Sequence, residues 1–231
     1  MLRLLTYNIH GCIGRGGRYQ PDAVLEVIRK SEADIVALQE VIDQRDDRKR
    51  FIDQLHDLGY PAVVHTRTID KPEGPYGIAM LSRIEPTETR EIELGGLEPR
   101  KALRFHIEHP EGALDICNTH LGLAGGERWK QIEKLSELLA QADHRHHDKL
   151  QVLMGDLNEW RPRTRLMRTM RQHFKWISSS ATFPSRRPVF ALDRIAVRGQ
   201  AAAVRFERIN DPAATRASDH RALLAKIIPG A

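Results

Sequence analysis

The chain alternates between short apolar runs, which are typical of buried strands, and longer segments in which apolar residues recur at helical spacing. Strands are predicted over 2–9, 34–38, 76–82, 84–94, 102–108, 113–119, 150–154, 191–197 and 222–228. Helices are predicted from 21 to 28, around 51–58, over 127–142 and over 163–174. Strands outnumber helices and the helices are interspersed among them, which favours a mixed α/β sandwich over a doubly wound parallel sheet.

The 231 residues contain no internal repeat, no low-complexity tract and no segment with the composition of a linker. A chain of this length can bury a sizeable core, so we predict a single domain over residues 1–231. Two widely separated cysteines indicate neither a disulfide framework nor a metal-type spacing. The apolar start is too short for a signal peptide, and no apolar run is long enough to span a membrane. We therefore expect a soluble, cytoplasmic protein.

The formal net charge is +5 and the sequence pI is near 9.4. A basic balance of this size is typical of proteins that bind an anionic partner, such as nucleic acid, a phosphorylated metabolite or an acidic lipid surface. It is also common in proteins that have no such partner. The charge alone does not choose among these alternatives, and peripheral contact with an anionic surface stays open.

Polar residues of catalytic type follow several of the apolar runs directly. Five short fragments share this feature: 6–10, 38–40, 118–121, 155–158 and 218–220. An α/β fold collects chemistry in this way, because strand ends meet along one edge of its sheets. The five fragments together predict a functional site at such an edge.

Glu40 and Asn8 each end a predicted buried strand. A carboxylate at this position is a natural ligand for a hard divalent cation, since Mg²⁺ prefers oxygen ligands and needs only one or two carboxylates. Taken singly, Glu40 has the alternative of an ordinary surface residue. Asn8 has the alternative of a cap or turn residue.

Asp156 and Asn158 alternate along a segment that the pattern predicts to be extended, so both side chains are expected on the same side. One can then hold or activate a water molecule while the other donates a hydrogen bond to a phosphate oxygen. The alternative is an Asx-turn without chemistry.

His220 is the most specific single candidate, as a general base or as a cation that stabilises a transition state. Its neighbour Asp219 would point to the opposite side in an extended chain, so we expect the more distant Asp193 to orient the imidazole. His120 ends another predicted strand and supplies a second imidazole to the same cleft. Single histidines at strand ends are often structural, but two beside acids favour chemistry.

Arginines that could bind substrate phosphate lie near these fragments. Arg15 and Arg18 belong to a glycine-rich loop that follows Asn8, and Arg100 is a weaker candidate. A basic run over 161–175 could track a phosphate backbone, but its members do not share one helical face, which equally indicates a solvated surface.

Together these motifs resemble the endonuclease/exonuclease/phosphatase superfamily, in the family's order and from residue 6 to residue 220. Four fragments carry the resemblance most specifically, namely Thr6–Asn8, Leu38–Glu40, Gly155–Asn158 and Ser218–His220, and 76–82 and 192–195 add to them. The resemblance implies a four-layer α/β sandwich, of the deoxyribonuclease I type, with two packed mixed β-sheets flanked by helices. It also implies hydrolysis of phosphate esters with Mg²⁺ or Mn²⁺ as cofactor.

Carried over residue by residue, the resemblance implies a metal site with Glu40 as principal ligand, Asn8 as a metal or phosphate neighbour, and Asp219 near the metal. It implies that Asp156 positions or activates the attacking water and that Asn158 stabilises the phosphoryl group. The general acid stays open between His120 and a metal-bound water.

His220 resembles the family's invariantly placed imidazole, with Asp193 as its orienting acid. His120 is similar to the histidine that deoxyribonuclease and sphingomyelinase members carry, where the abasic-site nucleases have tyrosine. The chain looks like a compact bacterial branch of the superfamily.

The expected function is a Mg²⁺- or Mn²⁺-dependent phosphodiesterase that uses in-line water attack on nucleic acid or on a lipid headgroup diester. A phosphomonoesterase acting on a small phosphorylated metabolite is the alternative. A non-catalytic module that binds phosphate is disfavoured, because Glu40, Asp156 and His220 are all present. The sequence predicts no oligomeric state.

Overall fold

The computed structural model describes residues 1–14, 16–44, 49–109, 112–143 and 150–230, and for 140–143 it describes the backbone only. The described residues include twelve strands: β1 Leu2–Asn8, β2 Ile35–Ile42, β3 Ala62–Lys71, β4 Gly74–Ser82, β5 Glu88–Glu93, β6 Lys101–Ile107, β7 Leu114–His120, β8 Leu150–Asp156, β9 Trp176–Ile177, β10 Asp193–Arg198, β11 Ala201–Arg208 and β12 Leu223–Pro229. They also include five α-helices: α1 Pro21–Ser31, α2 Phe51–His56, α3 Gly125–Asp143, α4 Arg165–His173 and α5 Pro212–Ala217.

The strands form two six-stranded mixed sheets. The first has the order β11-β12-β1-β2-β4-β3 and the second the order β5-β6-β7-β8-β10-β9. Each sheet contains one parallel pair, β1 with β2 and β7 with β8, and each pair is joined through a helix as a parallel connection requires. The remaining pairings are antiparallel.

Three apolar clusters give the molecule four layers. One cluster fills the space between the sheets, with Leu4 and Met80 of the first sheet packed with Phe105 and Val152 of the second. A second cluster lies between the first sheet and the helices α1, α2 and α5, and a third between the second sheet and the helices α3 and α4. The predicted four-layer α/β sandwich is confirmed.

Strand periodicity explains why polar residues gather at one edge. On β1, Leu2 and Leu4 face the other sheet, so Asn8 continues the same inward row. On β7, β8 and β10 the inward rows also pass through buried apolar residues and reach the same edge at a polar residue. Those edge residues are His120, Asp156 and Asp193. Each of these largely apolar inward rows therefore ends at one reactive group at the same edge.

Several element predictions were wrong in detail. The strands β9 and β11 and the helix α5 were not expected, and the run predicted as a strand from 84 begins at Glu88. Helix α4 begins at Arg165, because the Thr164 side chain accepts a hydrogen bond from the N–H of Met167 and caps it. Glu40 does not end β2, which continues to Ile42 after a shift in register. No helix among the described residues has the length and apolarity needed to cross a membrane.

Candidate active site

Asp156 is the residue around which the candidate site is arranged. Its Oδ2 atom accepts a hydrogen bond from Asn8 Nδ2 at 2.9 Å, and it lies 3.7 Å from Nε2 of His120 and 3.8 Å from Nε2 of His220. Its Oδ1 atom accepts a hydrogen bond from the backbone N–H of Asn158 at 2.8 Å. A single buried carboxylate thus meets groups from both sheets.

Glu40 reaches the site because the backbone of β2 is irregular there. The register with β4 shifts between Leu38 and Val41, and Glu40 adopts a left-handed φ of 54°. A non-glycine residue in this region is uncommon and often marks a functional position. The Glu40 Oε1 atom accepts a hydrogen bond from Asn8 Nδ2 at 2.9 Å, so one amide nitrogen bridges Glu40 and Asp156.

The orientation of the Asn8 amide is fixed by a second contact. Its Oδ1 atom accepts a hydrogen bond from the backbone N–H of His10 at 3.0 Å, which leaves the NH₂ group directed at the two carboxylates. Asn8 therefore holds the carboxylates in place. Its role as a metal ligand stays a prediction.

The chemistry of this cluster fits a divalent cation. Ligand atoms of Glu40, His120 and Asp156 lie within 4.8 Å of one another, and Asp156, Asp193 and His220 form a second such group. The Oδ1 atom of Asp219 is buried and accepts no hydrogen bond from the described residues. Carboxylate oxygens crowded in this way favour a hard cation such as Mg²⁺ or Mn²⁺.

Asp219 itself lies on the His220 side of the cluster. Its Oδ1 atom is 3.7 Å from His10 Nδ1 and 4.0 Å from His220 Nε2, and its side chain is partly exposed. It belongs to neither group of converging ligand atoms. Its place near a metal stays a prediction.

His220 is paired with an acid from another strand. Its Nδ1 atom lies 2.8 Å from Asp193 Oδ2, and its ring contacts the Phe183 ring at a centroid distance of 5.0 Å. Burial alone would lower the pKa of His220, but the charge and hydrogen bond of Asp193, with Asp156 and Asp219 nearby, raise it to about 10. His220 is therefore an imidazolium at neutral pH.

His120 has the opposite charge state. Burial, with further contributions from the Arg100 and His220 cations, lowers the pKa of His120 to about 4, although Asp156 acts in the other direction. The Arg100 guanidinium lies behind the ring, with Nη1 3.0 Å from His120 Nδ1 and Nη2 2.6 Å from Glu98 Oε2. One neutral and one charged imidazole thus face the same carboxylate.

Arg100 is buried, and its guanidinium contacts His120 and Glu98. The geometry therefore favours a role in positioning His120. A contact between Arg100 and substrate phosphate stays a prediction. Arg18 lies exposed on the loop after Asn8, and Arg15 lies outside the described residues.

The expectation that Asn158 continues an extended segment was wrong. Strand β8 ends at Asp156, and Asn158 has a left-handed φ of 52°. Its backbone N–H donates to the Asp156 side chain, which forms the Asx-turn given above as the alternative. Its Nδ2 atom donates to the Leu121 carbonyl at 2.9 Å. Asn158 thus ties the β8 end to the β7 end, while its role toward a phosphoryl group stays a prediction.

Sequence reasoning gave no role to two sets of supporting contacts. The Ser218 hydroxyl donates to the Asn8 carbonyl at 2.7 Å and accepts the N–H of His220 at 3.0 Å. Asn118 crosses between the sheets, donating to the carbonyls of Leu38 and Ala79 and accepting from Gln39 Nε2. The motifs contained these residues, but only their partners, distant in sequence, reveal what they do.

A model of the Endonuclease/Exonuclease/phosphatase family matches residues 5–220. The chain belongs to this family. Members of the endonuclease/exonuclease/phosphatase family are phosphoester hydrolases, and the chain is an enzyme of that type. No curated protein matches it in sequence.

Solved structures of family members resemble the fold closely at low sequence identity. An endonuclease/exonuclease/phosphatase from Beutenbergia cavernae is 20% identical with a TM-score of 0.78, over 99% of this chain and 72% of that one. Truncated TDP2 from Caenorhabditis elegans is 19% identical with a TM-score of 0.75, over 98% and 97%. The human Nocturnin catalytic domain with bound sulfate anion is 20% identical with a TM-score of 0.77, over 98% and 93%.

Proposed function

We propose that the protein is a phosphodiesterase that hydrolyses its substrate by in-line attack of water with the help of Mg²⁺ or Mn²⁺. The observation that carries the proposal is the environment of Asp156, a buried carboxylate bridged to Glu40 through Asn8 and flanked by one charged and one neutral imidazole. Groups whose environments push their pKa values apart commonly divide acid and base roles between them.

Glu40 and Asp156 would hold the cation, with Asp219 as a further oxygen donor. When bound, the cation would supply Lewis-acid stabilisation of the negative charge on the phosphoryl oxygens. Asp156 is placed to orient the attacking water and to accept its proton. His220 presents its Nε2–H, and the positive charge that Asp193 maintains, to the phosphoryl oxygens as they gain charge.

The room beside the site supports a diester over a small monoester. An open cleft of about 560 Å³ borders Asp219 and His10 and is also lined by Pro184, Arg186 and Arg187. A second substituent on the phosphorus would lie there. Whether the substrate is nucleic acid or a lipid headgroup diester depends on which second substituent this space can bind.

The proposal is tested with a water-soluble diester, bis(p-nitrophenyl) phosphate, and the corresponding monoester, each with Mg²⁺, Mn²⁺ or a chelator. Asp156→Asn and His220→Gln are compared with Asp57→Asn and His56→Gln, a neighbouring pair of the same residue types exposed on the first half of the chain. We expect diester turnover that the chelator abolishes, a loss of roughly 10²- to 10⁴-fold in the site variants, and no more than a small change in the control variants.

The outcomes separate the alternatives. Turnover of the monoester well above the diester would favour the phosphatase. Phosphate binding with no turnover of either ester would favour the non-catalytic module. Diester turnover that survives the chelator would remove the cation from the proposal. Nicking of supercoiled plasmid that is absent from His220→Gln would place nucleic acid among the substrates.

A further inference from the structure

The large hydrophobic side chains that are exposed among the described residues are unevenly distributed. Five of the seven lie on loops at the edge of the second sheet that carries His120, Asp156 and Asp193: Leu97 (93% exposed), Leu123 (71%), Trp160 (51%), Val189 (66%) and Phe190 (37%). The other two, Met1 and Ile228, lie at the opposite end of the first sheet, where β1 begins and β12 ends. We call the set of five the apolar rim.

Two leucines of the apolar rim are held on the His120 side of the cleft. Leu97 precedes Arg100 by three residues, and Leu123 follows His120 by three. Both loops pack on the Glu127 carboxylate, which accepts the Leu97 N–H at 2.7 Å and occupies the space that a side chain at Gly96 or Gly122 would take. The exposure of these leucines is therefore a property of ordered loops.

The aromatic part of the apolar rim lies on the other side of the cleft. Trp160 follows Asn158 by two residues, and its ring lies 5.1 Å from the Phe190 ring. The Phe190 N–H donates to the carbonyl of Phe183, whose ring contacts His220. Trp160 and Phe190 are thus each connected to the candidate active site, Trp160 through the chain after Asn158 and Phe190 through Phe183.

Positive charge accompanies Trp160, Val189 and Phe190, three of the five residues of the apolar rim. The segment 160–192 contains seven arginines, one lysine and no aspartate or glutamate. Exposed arginines adjoin Trp160 at positions 161 and 163, and Val189 and Phe190 at positions 186 and 187. A rim that is apolar along its length and basic on its aromatic side is complementary to an apolar medium with an anionic surface.

We infer that the apolar rim docks on an anionic membrane surface and presents the catalytic cleft to the headgroups of that surface. The inference rests on the proposed function for the reaction, and it favours a lipid headgroup diester as the substrate class. A nucleic-acid strand would use the arginines and the aromatic rings, but it gains nothing from aliphatic side chains as exposed as Leu97 and Leu123. The interfacial region of a bilayer accepts leucine, tryptophan and arginine together.

The test is co-sedimentation with vesicles of phosphatidylcholine alone and of phosphatidylcholine mixed with phosphatidylglycerol. We expect the wild type to sediment with the anionic vesicles, more weakly at high salt. Leu97→Ser with Leu123→Ser, and separately Arg186→Glu with Arg187→Glu, should each weaken binding roughly tenfold or more. All four positions are exposed, and circular dichroism confirms that the variants fold.

The matched control is Ile228→Ser, which removes an exposed large hydrophobic side chain at the opposite end of the molecule. Unchanged binding of this variant supports the inference, whereas a loss equal to that of the leucine variant overturns it. Absence of wild-type binding to anionic vesicles also overturns it, as does tight binding of a single-stranded oligonucleotide without vesicle binding.

The same preparations distinguish this inference from the proposed function. Vesicle binding without turnover of the water-soluble diester supports the membrane surface and overturns the proposed function. Turnover of that diester without vesicle binding overturns the membrane surface alone.

Discussion

The guanidinium Nη1 atom of Arg100 lies 3.0 Å from Nδ1 of His120. A guanidinium donates hydrogen bonds and cannot accept them, so His120 Nδ1 must be the acceptor. The proton of the neutral ring is therefore on Nε2, the atom that lies 3.7 Å from Asp156 and 4.0 Å from Glu40. Arg100 thus selects the tautomer that directs a donor into the site.

Replacement of Arg100 by methionine should lower kcat on the soluble diester by about 10²-fold, because His120 loses the contact that fixes both its orientation and its tautomer. KM should change less, since the residue lies behind the imidazole. Steady-state kinetics over a range of pH checks this, and Arg100→Lys should recover part of the rate. Arg90→Met, an exposed arginine on the neighbouring strand β5, is the control; equal losses in both variants would contradict the assignment.

The pairing of His220 with Asp193 has a consequence for stability. The pKa of His220 is raised to about 10 in the folded state, against about 6.5 when unfolded. Because of this raised pKa, the protonated His220 contributes to the free energy of unfolding. That contribution is complete below pH 6.5 and is lost as the pH rises through 10. Asp193 is the largest source of this raised pKa, ahead of Asp156 and Asp219, so Asp193→Asn should lose most of the contribution. The wild type should therefore be the more stable protein near pH 7, by on the order of 3 kcal/mol, and this advantage should shrink toward pH 10.

Urea unfolding of both proteins across this range, with a chelator present, measures the difference. A gap between wild type and Asp193→Asn that stays constant from pH 6 to pH 10 would show that the pair does not hold the proton.

Glu40 is expected to be essential for binding the cation. Glu40→Gln keeps the size of the side chain but removes a charge from the pair bridged by Asn8, so Mn²⁺ affinity should fall at least tenfold and turnover by about 10²-fold. Calorimetric titration with Mn²⁺ measures the affinity. Glu137→Gln, exposed on α3, should bind Mn²⁺ like the wild type; an unchanged affinity in Glu40→Gln would contradict the metal assignment.

Asn118 should be the most sensitive polar position of the core. Asn118→Leu removes the side-chain donor of the buried carbonyls of Leu38 and Ala79 and one acceptor of the Gln39 amide, which should cost about 3 kcal/mol of unfolding free energy. Denaturant unfolding measures this. Asn210→Leu alters an exposed asparagine and should change stability by less than about 0.5 kcal/mol.

The layered fold could be predicted because its signals are local. Apolar runs over β1, β7 and β8 end at polar residues, and the alternation of side chains directs those residues toward the gap between the sheets. The residues that the structure brings together, among them Asn8, Asp156 and His220, were therefore accessible from the sequence.

Other features of the fold and the site could not be predicted, because they depend on contacts between residues that are distant in sequence or on weak local patterns. Strand β11 begins with three alanines and pairs only along one side, so its apolar pattern is weak. The turn at Asn158 is decided by Asp156 Oδ1, and the bend at Glu40 by a shift in pairing with β4. The role of Arg100 follows from His120, which is twenty residues away.

The two sheets repeat one architectural unit, a helix-linked parallel pair flanked by antiparallel neighbours. In each unit the first strand supplies a nitrogen-bearing side chain and the second a carboxylate: Asn8 with Glu40, and His120 with Asp156. Neither half contains a complete centre. The site is assembled from both sheets, so its geometry depends on how the two sheets pack together, and a substitution that alters their spacing acts on catalysis from a distance.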